Sequence, residues 1–158
     1  MSSGTWGVVA SLVLLTSACS SEAVEIDAPR LPANEAAACA ELLDALPDTL
    51  FGEQRRPVHP DGAPGAAWGD PPAVLTCGVG EPSGYEPTAG CIEIRSVGWF
   101  VPQEQLTDVG ADATATVLTH SPRVELQVPA DYRTTGQSAL AELTPVIEET
   151  LERTDRCL

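Results

Sequence analysis

Residues 91–101 read CIEIRSVGWFV, and this stretch decides the fold. Cys91-Ile92-Glu93-Ile94 alternates apolar and polar positions with the period of a β-strand, and a second β-rich run follows from Val97 to Val101. Only Arg95 and Ser96 separate them, so the spacing predicts a tight hairpin. The same signal recurs on both sides. Ala73–Val79 is short, apolar and β-branched at Val74 and Val79. Thr114–Thr119 and Val124–Val128 predict a second hairpin around His120-Ser121-Pro122, with Val124, Leu126 and Val128 on one face.

Helical periodicity flanks the strands. Asn34 is a good N-cap, and Cys39, Leu42, Leu43 and Leu46 follow at i, i+3, i+4 and i+7 until Pro47 ends the run. Between Ser138 and Arg153, Leu140, Leu143, Ile147 and Leu151 form a second stripe. Pro145 predicts a kink there, or a fresh start capped by Thr144. Helix, strands, helix is the order of an α+β domain. The expectation is a mainly antiparallel sheet of about four to five strands with an N-terminal and a C-terminal helix packed on it.

The N-terminus supplies an address. An apolar run from Gly7 to Leu15 is too short to span a bilayer comfortably, and Thr16-Ser17-Ala18 precedes Cys19 as small residues precede a signal cleavage site. The pattern resembles a bacterial lipobox, in which the new N-terminal cysteine carries lipid. It departs from that pattern in two ways: Met1–Trp6 has no Lys or Arg, and Thr16 stands where Leu is more common. The alternative is an ordinary signal peptide and a secreted protein with Cys19 buried or disulfide-bonded. The domain reading is 1–18 signal peptide, 19–33 a lipid-anchored tether containing two prolines, and 34–158 a single domain.

Charge and cysteine usage narrow the chemistry. The formal net charge is −15, which disfavours nucleic acid and anionic headgroups as partners, so membrane contact must come through the lipid. All eight basic residues are arginines; a Schiff-base lysine, a P-loop lysine and a Ser-Lys pair are therefore excluded. No Gly-x-Ser-x-Gly or Gly-x-Gly-x-x-Gly motif is present, and no cofactor is implied. Beyond Cys19, the cysteines Cys39, Cys77, Cys91 and Cys157 read as two disulfides rather than a metal site, since none sits at Cys-x-x-Cys spacing and His59 and His120 are isolated. Cys39 lies on the inward stripe of the first helix and Cys77 ends the strand it should cover. The expected pairing is accordingly Cys39–Cys77 with Cys91–Cys157, against the rival Cys77–Cys91 with Cys39–Cys157.

Residues 52–72, GEQRRPVHPDGAPGAAWGDPP, hold four glycines and five prolines and read as one long loop. A loop of this length in a small domain is usually functional or mobile. Arg55, Arg56, Trp68 and Asp70 are its candidate binding residues: Trp68 as a stacking ring, the arginines as a positive spot for an anionic group. The competing reading, favoured by the prolines, packs Trp68 on the core and has Asp70 cap the chain or pair with an arginine. Trp99-Phe100 reads as core. Glu148, Glu149 and Glu152 read as a wet helix face, and the spacing Asp108 to Asp112 lacks the alternating carboxylates of a calcium loop.

The chain carries Cys39-x-x-Leu42-Leu43 with Leu46-Pro47 and Leu50, Arg55-Arg56-Pro57, Ala67-Trp68-Gly69-Asp70-Pro71 leading to Leu75-x-Cys77-Gly78-Val79, and Val97-Gly98-Trp99. In these motifs it resembles a family of actinobacterial envelope lipoproteins, domain-of-unknown-function family 3515. The resemblance implies a fold and an address and supplies no catalytic residue. The functional expectation is a lipid-anchored, non-enzymatic envelope protein that binds or supports an envelope protein or cell-wall ligand through residues 52–72. The alternatives are a cell-wall hydrolase or transferase using Asp70 and His59, and an assembly factor for a membrane protein.

Overall fold

Strand Val124–Val128 is the axis of the molecule. A computed structural model of the protein describes residues 22–27, 29–86 and 88–157. In it Val124–Val128 pairs antiparallel with Ala73–Cys77 on one side and Ala113–Val117 on the other, setting Leu126 opposite both Leu75 and Ala115. Along the chain run β1 (Val24–Glu25), α1 (Ala33–Ala45), β2 (Thr49–Leu50), β3 (Glu53–Arg56), β4 (Val58–His59) and β5 (Gly65–Trp68). Then come β6 (Ala73–Cys77), β7 (Ile92–Ile94), β8 (Val97–Phe100), α2 (Gln103–Thr107), β9 (Ala113–Val117), β10 (His120–Ser121) and β11 (Val124–Val128). A 3-10 turn (Ala130–Thr135), α3 (Gly136–Thr150) and β12 (Glu152–Arg153) close the chain. The main sheet has eight strands in the order β2-β3-β5-β6-β11-β9-β8-β7, and every pairing in it is antiparallel.

Alternation sorts the residues between two faces. Leu75, Cys77, Val124, Leu126, Val117 and Trp99 point to one face and are buried there under Leu42, Leu143 and Ile147 of the helices. Each such side chain withdrawn from water contributes about 1.5–3 kcal/mol. The opposite face carries the polar positions Thr114, Glu125 and Gln127. The hairpin over residues 92–100 forms as its alternation predicts, in the register Ile94↔Val97, with Arg95 at φ 56° in the turn.

Both disulfides form as expected, Cys39–Cys77 and Cys91–Cys157, with Cα atoms 5.7 and 5.8 Å apart. The first fastens α1 to the end of β6. The second lies over Gly98, where a Cβ would come within 3.2 Å of the Cys91 sulfur and 2.8 Å of the Thr119 methyl, so the crossing leaves no room for a side chain.

Four expectations are corrected. The sheet has eight strands rather than about four to five, because residues 52–72 are not one loop: β3, β4 and β5 lie within them. Gly52, Pro57, Gly62, Gly69, Pro71 and Pro72 fall in the turns between strands, punctuating short elements instead of abolishing them. Secondly, α1 starts at Ala33 with Pro32, not Asn34, in the capping position, and no side chain caps it. Thirdly, α3 runs through Pro145 and stops at Thr150; Thr144 is buried and donates its hydroxyl to Leu140 O at 2.8 Å rather than starting a new helix. Lastly, residues 22–27 of the expected tether join the fold. Val24 and Glu25 pair in parallel with Val58 and His59, and Ile26 is buried against Gly65. The signal peptide and Cys19 lie outside the described residues.

The bridges close chain separations of 38 and 66 residues, so in the chain-entropy treatment each contributes about 4 kcal/mol. Replacing Cys39 and Cys77 together by Ala, or Cys91 and Cys157 together, should lower unfolding free energy in denaturant by about that amount. A peptide joining Cys77 to Cys91 in a non-reducing digest would contradict the pairing.

Candidate functional site

The residues expected to form a recognition loop are consumed by the fold. Register places Arg55 opposite Trp68 and Arg56 opposite Ala67, so the two arginines point to opposite faces of the sheet. Trp68 is fully buried in the core and donates its indole N–H to Pro47 O at 3.1 Å. Arg55 donates to Leu43 O at the end of α1. Arg56 donates to Gly69 O and Glu22 O, tying the N-terminal segment to the sheet, and lies 3.7 Å from Asp70. Asp70 is left with its side chain 92% exposed. The packing reading of Trp68 and the ion-pair reading of Asp70 hold; the four residues form no common binding surface. His59 sits exposed on β4, and among the described residues no hydrogen bond or ion pair links it to Asp70.

A polar cluster sits where the hairpin turn meets α3. Glu148 accepts hydrogen bonds from the Ser96 backbone N–H at 3.1 Å and the Ser96 hydroxyl at 2.5 Å, and Arg95 lies 4.0 Å from its other oxygen. Glu148 is thus no wet-face residue; it clamps the turn. Thr119 accepts from the Gly98 N–H at 2.8 Å and lies 3.0 Å from Nδ1 of buried His120. Burial holds the His120 imidazole below its ordinary range; the Arg153 charge adds to this and Glu148 opposes it. The Ser96 hydroxyl holds the Glu148 carboxyl below its usual value. These groups stabilise structure, and Asp108 and Asp112 do likewise by accepting from the N–H groups of Gly110 and Ala130. Among the described residues no His, Cys, Asp and Glu group is arranged to hold a metal.

Several hollows open among the described residues, and the one bounded by β9, α2 and α3 is not foreseen in the sequence. Ala113 and Ala115 face α3 from β9 at positions where the neighbouring strand β11 carries Val128 and Leu126. Because the alanines do not fill the space between sheet and helix, a hollow of about 290 Å³ is left, walled by Ile92, Val101, Val128 and Leu140. That is the lower end of ordinary small-molecule pockets. Leu106 of α2 lines it too, and Leu106 at 43% and Val109 at 67% are the exposed large hydrophobics among the described residues. The α2 flap is held in place by Arg133, which donates to Ala111 O at 2.7 Å, Asp108 O at 3.2 Å and Gln105 O at 2.5 Å, and by the Thr114 N–H donating to the Gln105 side chain at 2.8 Å. Arg133 also lines the hollow.

Fold and cavity define a doubly disulfide-bonded α+β domain with an aliphatic pocket between one helix and one end of its sheet. The chain belongs to the family described as Protein of unknown function (DUF3515), whose model matches residues 5–155. No curated protein and no solved structure matches it.

The polar cluster makes stability depend on pH in two windows. Folded His120 resists protonation, so the unfolded chain binds the proton more readily; stability is full above about pH 6.5 and declines as pH falls below it. Glu148 contributes stability that is present above about pH 4.3 and is lost as acid protonates it. Denaturation midpoints measured across pH should therefore flatten between about pH 7 and 5 in His120→Gln, and only below about pH 5 in Glu148→Gln.

Proposed function

We propose that the protein is a lipid-anchored, non-enzymatic binding module of the cell envelope, tethered through Cys19 and binding its ligand in the cavity beside α2. The address is supported by the signal-and-cysteine pattern of residues 1–19 and by the two disulfides, which agree with an oxidising compartment. No helix among the described residues is long and apolar enough to cross a membrane. The observation that carries the binding role is the cavity. It leaves Leu106, 43% exposed, and part of Val101 open to water above a floor of Val128, Leu140, Ala113 and Ala115 that is nearly closed, and a ligand that covers the open part gains about 25 cal/mol per Å² of apolar surface removed.

The reading as an assembly factor for a membrane protein draws on the exposed tip formed by Leu106 and Val109. Two side chains fall short of the few hundred Å² typical of a protein-docking patch, so the cavity reading is preferred. Residues 52–72 no longer enter the proposal.

Two measurements test it. Wild-type protein expressed in a lipoprotein-processing host should partition into detergent, and Cys19→Ala should leave it in the aqueous phase. In the isolated domain, at least one of decanol, decanoate and decyltrimethylammonium should shift the methyl resonances of Ala113 and Ala115. Ala115→Leu, which fills the hollow, should abolish the shift without loss of fold. Methyl resonances that respond to none of the three would contradict the binding role.

A further inference from the structure

The lining of the cavity is chemically one-sided. Its walls are mostly aliphatic, with Gln137 as the one neutral polar side chain, no aromatic ring on which a flat ligand would stack and no carboxylate; Arg133 is the one formal charge among the residues that line it. The Arg133 bonds to Asp108 O and Ala111 O are solvent-exposed, whereas Ala113 and Ala115 are 8% and 3% exposed, so the charge stands nearer the mouth and the alanines are inside.

Arg133 differs from the arginines of the ion pairs. Arg56, Arg95 and Arg153 lie within 4.0 Å of Asp70, Glu148 and Glu93 respectively. The recorded partners of Arg133 among the described residues are instead three neutral main-chain carbonyls, those of Gln105, Asp108 and Ala111. Of the carboxylates in and beyond α2, Asp108 turns to the Gly110 N–H and Asp112 to the Ala130 N–H, while Glu104 lies in the first turn of the helix and, among the described residues, forms no ion pair with Arg133. A guanidinium has five N–H donors, and these bonds use three, both on Nη1 and one on Nη2. The Nε–H and one Nη2–H have no acceptor among the described residues, and Nε and Nη2 share the edge of the guanidinium that pairs with two oxygens of one anion. A chain carrying a net charge of −15 thus holds at the mouth of this hollow a cation with no carboxylate partner among the described residues.

We infer that the cavity takes a single aliphatic chain ending in an anionic group, a carboxylate or a phosphate, with the chain against Ala113, Ala115 and Leu140 and the anion on the free fork of Arg133. This deepens the binding role proposed above and rests on it. The three bonds from Arg133 to the flap need not break, so α2 stays latched while the ligand is held. A cationic head would meet like charge at the mouth, and a neutral head would leave the fork unused.

The test ranks defined probes on the full mature domain by calorimetry and by the Ala113 and Ala115 methyl shifts, below micelle-forming concentrations. Decanoate should bind about tenfold or more tightly than decanol, as expected for a hydrogen-bonded charge pair, and decyltrimethylammonium should bind weakest. Added salt should weaken decanoate alone. Acetate and inorganic phosphate should not bind, because the chain supplies the burial. Arg133→Gln should bring decanoate and decanol to one level, whatever the loss of the α2 latch does to both affinities together; Arg133→Lys should keep part of the preference. Should Arg133→Gln not fold, the wild-type ranking and its salt dependence decide. Equal binding of decanoate and decanol, or tighter binding of the cation, overturns the anionic ligand and leaves the binding role standing. Binding of acetate as tight as decanoate overturns the chain. Silence from every probe overturns both readings.

Discussion

The covalent fastening of helix to sheet at one end of the domain is the constraint on which the rest depends. Cys77 stands beside Val124 in the register of the central strands, and the Cys91–Cys157 bridge lies over Gly98, whose carbonyl accepts from Leu118 N–H just past the end of β9. Both bonds therefore sit at the same end of the sheet. There the packing is dense: Trp99, Val117, Leu143 and Ile147 are wholly buried. The opposite end, where Val128 pairs with Ala113, has no such fastening, and it is there that sheet and helix leave the hollow. A highly acidic chain repels itself when compact, and cross-links that cut the freedom of the unfolded state offset that repulsion without demanding more core.

The polar groups that looked like chemistry in the sequence are spent on holding this arrangement. Arg56 joins the N-terminal segment to β3 and the β5 turn through two carbonyls, and Glu148 fixes the Arg95-Ser96 turn through Ser96. Each interaction spans many residues and spares a buried or half-buried donor the cost of being left alone. The pocket beside α2 is the place proposed for binding, and there Arg133 both latches α2 and supplies a charge.

Much of this was legible in the chain. Val124–Val128 forms a strand with the bounds its alternation sets, and the 92–100 hairpin follows from Ile94, Val97 and the two residues between them. The disulfide pairing followed from placing Cys39 on the inward stripe of α1. The Gly65–Trp68 strand was hidden because Gly-Ala-Ala-Trp has weak strand propensity and is flanked by prolines, and it owes its place to burial between β3 and β6 rather than to its own preference. Reading residues 52–72 as a loop also hid the alternation that sends Arg55 and Arg56 to opposite faces. The pocket was the least visible element. A hollow is made by what Ala113 and Ala115 lack against neighbours brought in from α2 and α3, and the five-residue helix Gln103–Thr107 is too short to announce itself by periodicity.

The most direct measurement of the central claim, that this domain carries a ligand beside α2, is native mass spectrometry of the protein extracted from its own envelope. The account predicts an acidic, chain-bearing small molecule that travels with the wild-type protein and is missing from Ala115→Leu. A bare protein mass from both, or an adduct retained when the hollow is filled, would contradict it.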